Sequence, residues 1–300
     1  VIVIAKKVGR LANRMLLFAH FIGIAVEHGL TVVNPAFGKY ADYFPFTARD
    51  LLCRFPSAMP VPPMPGGREL LYRAGLLVAD VLHFLQSKGR DVGLIRLRRD
   101  QYLELDSPAF LTVAQRHRIL LVQDWFFRSP SNCEKHRDVI RSHFTPWQHH
   151  LDRARALVEP ARRRGRFLVG VHVRQGDYQT FKEGRFFYFH EQYRGVMEKV
   201  QAAFSGADVS FLVCSDAPVP PHAFAGFDVL YGNGHELEDL YALAACDRLI
   251  GPPSTYSKWA SFYGAVPRYE IIDPAQDLDA QSFCIESGLA HKPLPSTPAP

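Results

Sequence analysis

The chain opens on a short β-branched run, "VIVIA", and then changes period. From Leu11 to His28 the apolar positions follow a long helical pattern, and Gly29 is a natural stop for it. "LTVVN" resumes a strand, and residues 35–68 are rich in Pro, Gly and aromatics, which is loop chemistry. A helix is predicted over 69–87, strands over 93–97 and 119–123, and helices over 131–143 and 148–164. The second half repeats the theme more clearly. "RFLVGVHV" reads as a strand, and Tyr193, Val196, Met197, Val200 and Phe204 mark one face of a helix. "VSFLVC", "DVLY", "DRLIG" and "RYEII" read as further strands, with helices over 236–246 and 254–263 between them. Strands alternating with helices predict parallel sheets. The expected architecture is α/β, with Rossmann-like domains over 1–160 and 161–290 and a Pro-rich tail over 291–300.

Composition adds little to that picture and charge adds something. A chain of 300 residues, 47% hydrophobic and 22% charged, has room for two α/β cores. The net charge of +5 favours an anionic ligand. Much of the excess lies in Arg153, Arg155, Arg162, Arg163, Arg164 and Arg166, which read as a solvated helix end or as a peripheral contact with acidic lipid or a charged acceptor. Cys53, Cys133, Cys214, Cys246 and Cys284 are scattered and form no Cys-x-x-Cys, so neither a disulfide framework nor a zinc site is expected. "LLFAHFIGIAV" is too short to span a bilayer and is interrupted by His20; it reads as a buried helix. With no leader visible, the expectation is a cytoplasmic protein, with the arginine cluster as a means of peripheral contact at the inner face of the membrane.

In parallel α/β sheets, ligands bind beyond the carboxyl ends of the strands. Four polar clusters fall there. In "VHVRQGDYQ", His172 and Arg174 share a parity, Gly176 frees the backbone to turn, and Asp177 follows. The planar fork of Arg174 suits a pair of phosphate oxygens, while the simpler reading is an Arg174–Asp177 pair that stabilises a turn. Ser215 and Asp216 end "FLVCSD", where the aspartate suits a ribose hydroxyl or a base N–H and equally suits a cap. Asp239 lies early in the helix of "GHELEDLYALAAC", where an acid also complements the helix dipole. In "GPPSTYSKWASFYG", Ser254 is set to cap a helix whose first amides, at Thr255 and Tyr256, form an anion-binding mouth. Together these suggest a nucleoside diphosphate held between Arg174 and a helix start. No P-loop, G-x-G-x-x-G, G-x-S-x-G or H-E-x-x-H motif is present, and no aromatic-interleaved basic motif points to nucleic acid.

"HVRQGDY" resembles the His-x-Arg-Arg-Gly-Asp-Tyr signature of the α1,2-fucosyltransferases, whose superfamily includes the α1,6- and protein O-fucosyltransferases. "VGRLANRM", "CSDA" and "DLYALAACDRLIGPPSTYSKWA" resemble that group's other motifs, in the same order. The resemblance implies a GT-B fold, two Rossmann-like domains facing across a cleft, with a GDP-sugar on the C-terminal one and a glycan acceptor handled by the other. It implies an inverting transfer, of L-fucose to a glycan hydroxyl, with no cofactor and no metal. Carried over by position, Arg174 grips the β-phosphate, Ser254, Thr255 and Tyr256 donate to the pyrophosphate, and Asp216 and Asp239 face the guanosine, with Ser215 beside them. His172 and Asn13 lie near the sugar–phosphate junction, and Asp177 or Glu183 is the candidate general base. Gln175, Ala12, Arg14 and Lys258 stand where the group has arginine, glycine, glutamine and tryptophan. These departures keep open another GDP-sugar donor and a non-catalytic nucleotide- or glycan-binding relative. "DLD" at 277–279 keeps open a metal-dependent nucleotide-sugar transferase. Phe37, Tyr40, Tyr43, Phe44 and Phe46 are candidates for stacking on an acceptor sugar.

Overall fold

The computed structural model describes residues 1–57, 59–84, 91–98 and 101–290. The described chain divides into two compact units, Val1–Trp147 together with residues 287–290, and Gln148–Glu286. This moves the boundary expected near residue 160. The helix Gln148–Arg163 buries Ala154, Val158 and Ala161, and Arg162 at its end pairs with Asp247 at 2.7 Å, so the helix belongs to the second unit. The tail at 291–300 and the part of the predicted 69–87 helix beyond Phe84 lie outside the described residues.

The strands of the first unit are β1 (Ile2–Ile4), β2 (Val32–Val33), β3 (Arg54–Phe55), β4 (Val92–Arg96), β5 (Leu103–Glu104), β6 (Ile119–Gln123) and β7 (Phe127–Arg128). Five of them form a sheet in the order β3-β2-β1-β6-β4, parallel except for β3, while β5 and β7 pair separately. The helices are α1 (Leu11–His28), α2 (Pro45–Ala48), α3 (Gly67–Phe84), α4 (Pro108–Arg116), α5 (Pro130–Lys135) and α6 (Arg137–His143). Helix α1 ends on Gly29 in the left-handed conformation, and from Met15 to Ala25 every residue is buried. That explains an apolar run with no polar face, and no described helix is long and apolar enough to cross a membrane. The helix expected over 131–143 is two, broken at His136, where φ is −107° and ψ 24°.

Residues 35–68 are more ordered than their composition suggests, with a 3-10 run over Pro35–Tyr43 ahead of α2. Burial of aromatic area drives this order. Phe37, Tyr40 and Phe44 are buried, and Phe37 and Phe44 meet Phe144 at centroid distances of 5.8 and 5.5 Å. These rings are core, which removes them as a sugar platform; Phe46 is exposed.

The second unit is built on β8 (Phe167–Val173), β9 (Val209–Ser215), β10 (Val229–Tyr231), β11 (Arg248–Gly251) and β12 (Arg268–Glu270), with helices α7 (Gln148–Arg163), α8 (His190–Ala203), α9 (Glu238–Leu243) and α10 (Thr255–Gly264). The sheet order is β10-β9-β8-β11-β12 and every pair is parallel. From β8 the chain builds outward through β9 to β10, then returns to lay β11 on the other side of β8. The order reverses between β8 and β11, the place where such sheets open a crevice at their carboxyl edge. The arginine cluster belongs to this unit, and each member faces a carboxylate: Arg153 meets Glu238, Arg155 Asp152, Arg162 Asp247, Arg163 Glu159, Arg164 Asp228, and Arg166 Asp208.

Candidate functional site

Strand β8 is buried from Leu168 to Val173 and then turns polar. The apolar run seats the strand in the middle of the sheet, so its last residues emerge at the reversal point beside the end of β11. His172 is buried, and its ring lies 4.9 Å from that of Tyr256 on α10. Burial first, then the charges of Arg174 and Arg268, push its pKa down to about 3, so the imidazole is neutral at neutral pH. Its Nδ1 has no hydrogen-bond partner among the described residues.

Arg174 is held from two sides. One terminal nitrogen reaches Asp177 at 2.6 Å and the other reaches Asp216 at 2.8 Å. The guanidinium also lies 5.2 Å from the centre of the Tyr178 ring. Its Nε has no hydrogen-bond partner among the described residues. Asp216, the candidate for facing a nucleoside, accepts the Gln175 amide at 2.8 Å and so organises the arginine loop. A Cβ on Gly176 would stand 2.7 Å from the Asp216 carboxylate, which is why the turn takes glycine. The Gln175 side chain donates to the Tyr188 carbonyl at 2.8 Å and points its amide into the fold.

Tyr178 joins the two sides of the reversal point, and sequence reasoning passed over it. Its hydroxyl donates to the carbonyl of Pro253 at 2.5 Å, one residue before the cap of α10. The "GDY" turn held the signal, since a tyrosine so close to a switch-point loop has a neighbouring strand end in reach. Tyr178→Phe would leave that carbonyl without its donor. It is expected to cost about 1–3 kcal/mol of stability, read as a lower denaturant midpoint at unchanged slope. An unchanged midpoint would mean the hydroxyl does not hold the two loops together.

Ser254 caps α10 as expected: its hydroxyl accepts the Tyr256 amide at 3.2 Å. That amide is therefore engaged within the cap, a correction to its reading as an outward donor. The Tyr256 side chain is engaged too, donating to the Glu236 carbonyl at 2.9 Å. Thr255 is the first residue of the helix. Ser215 accepts the Ala217 amide at 3.2 Å and shapes the turn after β9. Asp239 is buried and accepts the amides of Asn233 and Gly234 at 2.9 and 3.2 Å; burial raises its pKa.

Glu183 is exposed on a turn in which it and Lys182 both have positive φ, 59° and 48°. In the "DLD" tripeptide, Asp279 is used as a cap, accepting the amides of Gln281 and Ser282 at 3.0 and 2.9 Å. Asn13 belongs to the first unit, where its carboxamide folds over Gly9; a Cβ on that glycine would overlap it. Arg14 braces the same loop, donating to the Ala36 carbonyl at 3.0 Å.

The structure therefore gathers His172, Arg174, Asp177, Tyr178, Asp216, Ser254 and Tyr256 around one edge of the second sheet. It turns Ser215 and Asp239 to their own loops. No family model and no curated protein sequence matches the chain. Among solved structures, Arabidopsis thaliana FUT1, as a mutant in complex with GDP, is similar over 94% of this chain and 73% of its own, with a TM-score of 0.58 and 13% identity. A glycosyl transferase family 9 structure from Veillonella parvula aligns over 92% of this chain and 84% of its own, with a TM-score of 0.45 and 10% identity. The likeness to the plant structure carries the fold, and the α/β GT-B class expected from the sequence is the class of this chain.

Proposed function

We propose that the chain is an inverting, metal-independent glycosyltransferase that moves a sugar, L-fucose, from a GDP-sugar to a glycan hydroxyl. The observation that carries this reading is the union, across the reversal point of an all-parallel sheet, of Arg174 with the start of α10 through Tyr178 and Pro253. The presence of GDP in the similar plant structure supports the choice of nucleotide. Asp177, whose side chain is 52% exposed, is the partner that yields an arm of Arg174 when a phosphate arrives. Asp216, 14% exposed, keeps the guanidinium aimed.

In this scheme negative charge gathers on the diphosphate as the glycosidic bond breaks. Donors fixed beforehand at those oxygens lower the barrier more than they tighten ground-state binding. Arg174, tied to the start of α10 through Tyr178 and Pro253, supplies them, and neutral His172 lies nearby without adding charge. Asp177, once released from Arg174, is a base for the acceptor hydroxyl, and Glu183 on its exposed turn is the other.

The test is a thermal-shift panel of nucleoside diphosphates and nucleotide sugars. A ligand at a hundred times its dissociation constant stabilises the folded state by about 2.7 kcal/mol. GDP and GDP-fucose are expected to raise the melting temperature, and UDP and ADP to leave it in place. A panel in which no guanine nucleotide moves the transition ends this reading.

A further inference from the structure

At the start of α9, away from the arginine loop in sequence, three side chains of metal-ligand chemistry converge. His150, in the first turn of α7, His235, ahead of α9, and Glu238, the first residue of α9, each offer one ligand atom, and these atoms lie within 4.8 Å of one another. The geometry points to a divalent transition-metal site, of the class that takes zinc, made by His150, His235 and Glu238. It goes beyond the proposed transfer reaction, no step of which uses the ion.

Two imidazoles and one carboxylate form a donor set that zinc takes up readily. A tetrahedral centre with bonds of about 2.0–2.1 Å sets its ligand atoms about 3.3 Å apart. Here His150 Nδ1 and Glu238 Oε1 stand 2.8 Å apart, and the widest separation in the trio is within 4.8 Å, so small side-chain rotations close the set. The cation takes the Nδ1 lone pair of His150 in the tautomer that carries its proton on Nε2, so the ring stays neutral and no net proton is lost from it. The rings of His150 and His235 already lie at 35° to each other, with centroids 5.2 Å apart.

The carboxylate is oriented from behind. Glu238 is 2% exposed, and its second oxygen accepts the Asn233 side-chain amide at 2.6 Å, the outer support that ligating carboxylates use. His235 Nδ1 is in long contacts, 3.3 and 3.4 Å, with the amides of Leu237 and Glu238, which a metal bond readily outweighs. Arg153 competes for the position, reaching Glu238 at 3.3 Å, but its side chain is 64% exposed and can withdraw into water.

The experiment uses the untagged full chain, stripped with a chelator, then titrated with ZnCl2 by calorimetry and with CoCl2 by visible absorption. One equivalent of Zn2+ is expected to bind, and Co2+ to give the intense visible bands of a four-coordinate site. Outer-shell partners alone are worth about 10–100-fold in metal affinity, so His150→Ala or His235→Ala should weaken binding by about a hundredfold or more. Arg153→Ala should bind at least as tightly as the parent. Glu238→Gln, which keeps the size of the side chain, guards against unfolding as the cause of loss: it should lose the metal while its melting transition remains cooperative. Absence of stoichiometric binding, or binding that survives in both histidine variants, overturns the site.

Discussion

Arg174→Ala is expected to slow sugar transfer by about a hundredfold or more, equivalent to ~3–4 kcal/mol in the barrier. The size follows from what the guanidinium does at the site. It is a two-armed donor held between Asp177 at 2.6 Å and Asp216 at 2.8 Å, so its position is set before any phosphate arrives. Alanine removes the donor and leaves Asp216, a largely buried carboxylate, facing the place where a diphosphate would lie. Repulsion is then added to lost attraction, and GDP affinity should fall along with the rate. Arg174→Lys keeps one charge and loses the planar fork, so it should recover only part of the rate. Initial rates with GDP-fucose and a glycan acceptor, set beside GDP binding and a melting curve for each variant, check this. A folded alanine variant that transfers within tenfold of the parent would remove Arg174 from the chemistry.

Trp259→Ala should produce the largest loss of stability, about 3–5 kcal/mol. Trp259 is fully buried on α10 and packs 5.7 Å from Phe262, centroid to centroid. It fixes the helix whose cap forms one side of the site, so its removal leaves both a cavity and a loose mouth. Trp259→Phe keeps most of the volume and should cost much less. Chemical denaturation followed by circular dichroism reads the difference, and nucleotide binding should weaken in the alanine variant below its midpoint. Equal midpoints for parent and alanine variant would show that the indole does not anchor α10.

How much of this could be read along the chain depended on whether a signal was local. Helix α1 was legible because its pattern and its Gly29 stop lie within one segment, and so was the cap of α10 at Ser254. The strands of the second sheet were legible as β-branched runs between turn residues. Partnerships were not. Asp216 looks like a ligand residue in "CSDA", and its partner, Arg174, follows a different strand. Phe37 and Phe44 look like parts of a sugar platform until Phe18 and Phe144 close over them. The basic run over 153–166 looks unpaired along the chain, yet Arg162, Arg164 and Arg166 meet Asp247, Asp228 and Asp208, which lie far from them in sequence. The unit boundary was misread for the same reason, since only tertiary packing assigns α7 to one side.

The middle position of β8 carries an implication for how the protein breathes. With β9 and β11 on its flanks and β10 and β12 at the margins, β8 should be the last strand to surrender its amide protons to deuterium. Fraying at either margin can come and go while the arginine loop stays rooted in the slowest-opening part of the sheet.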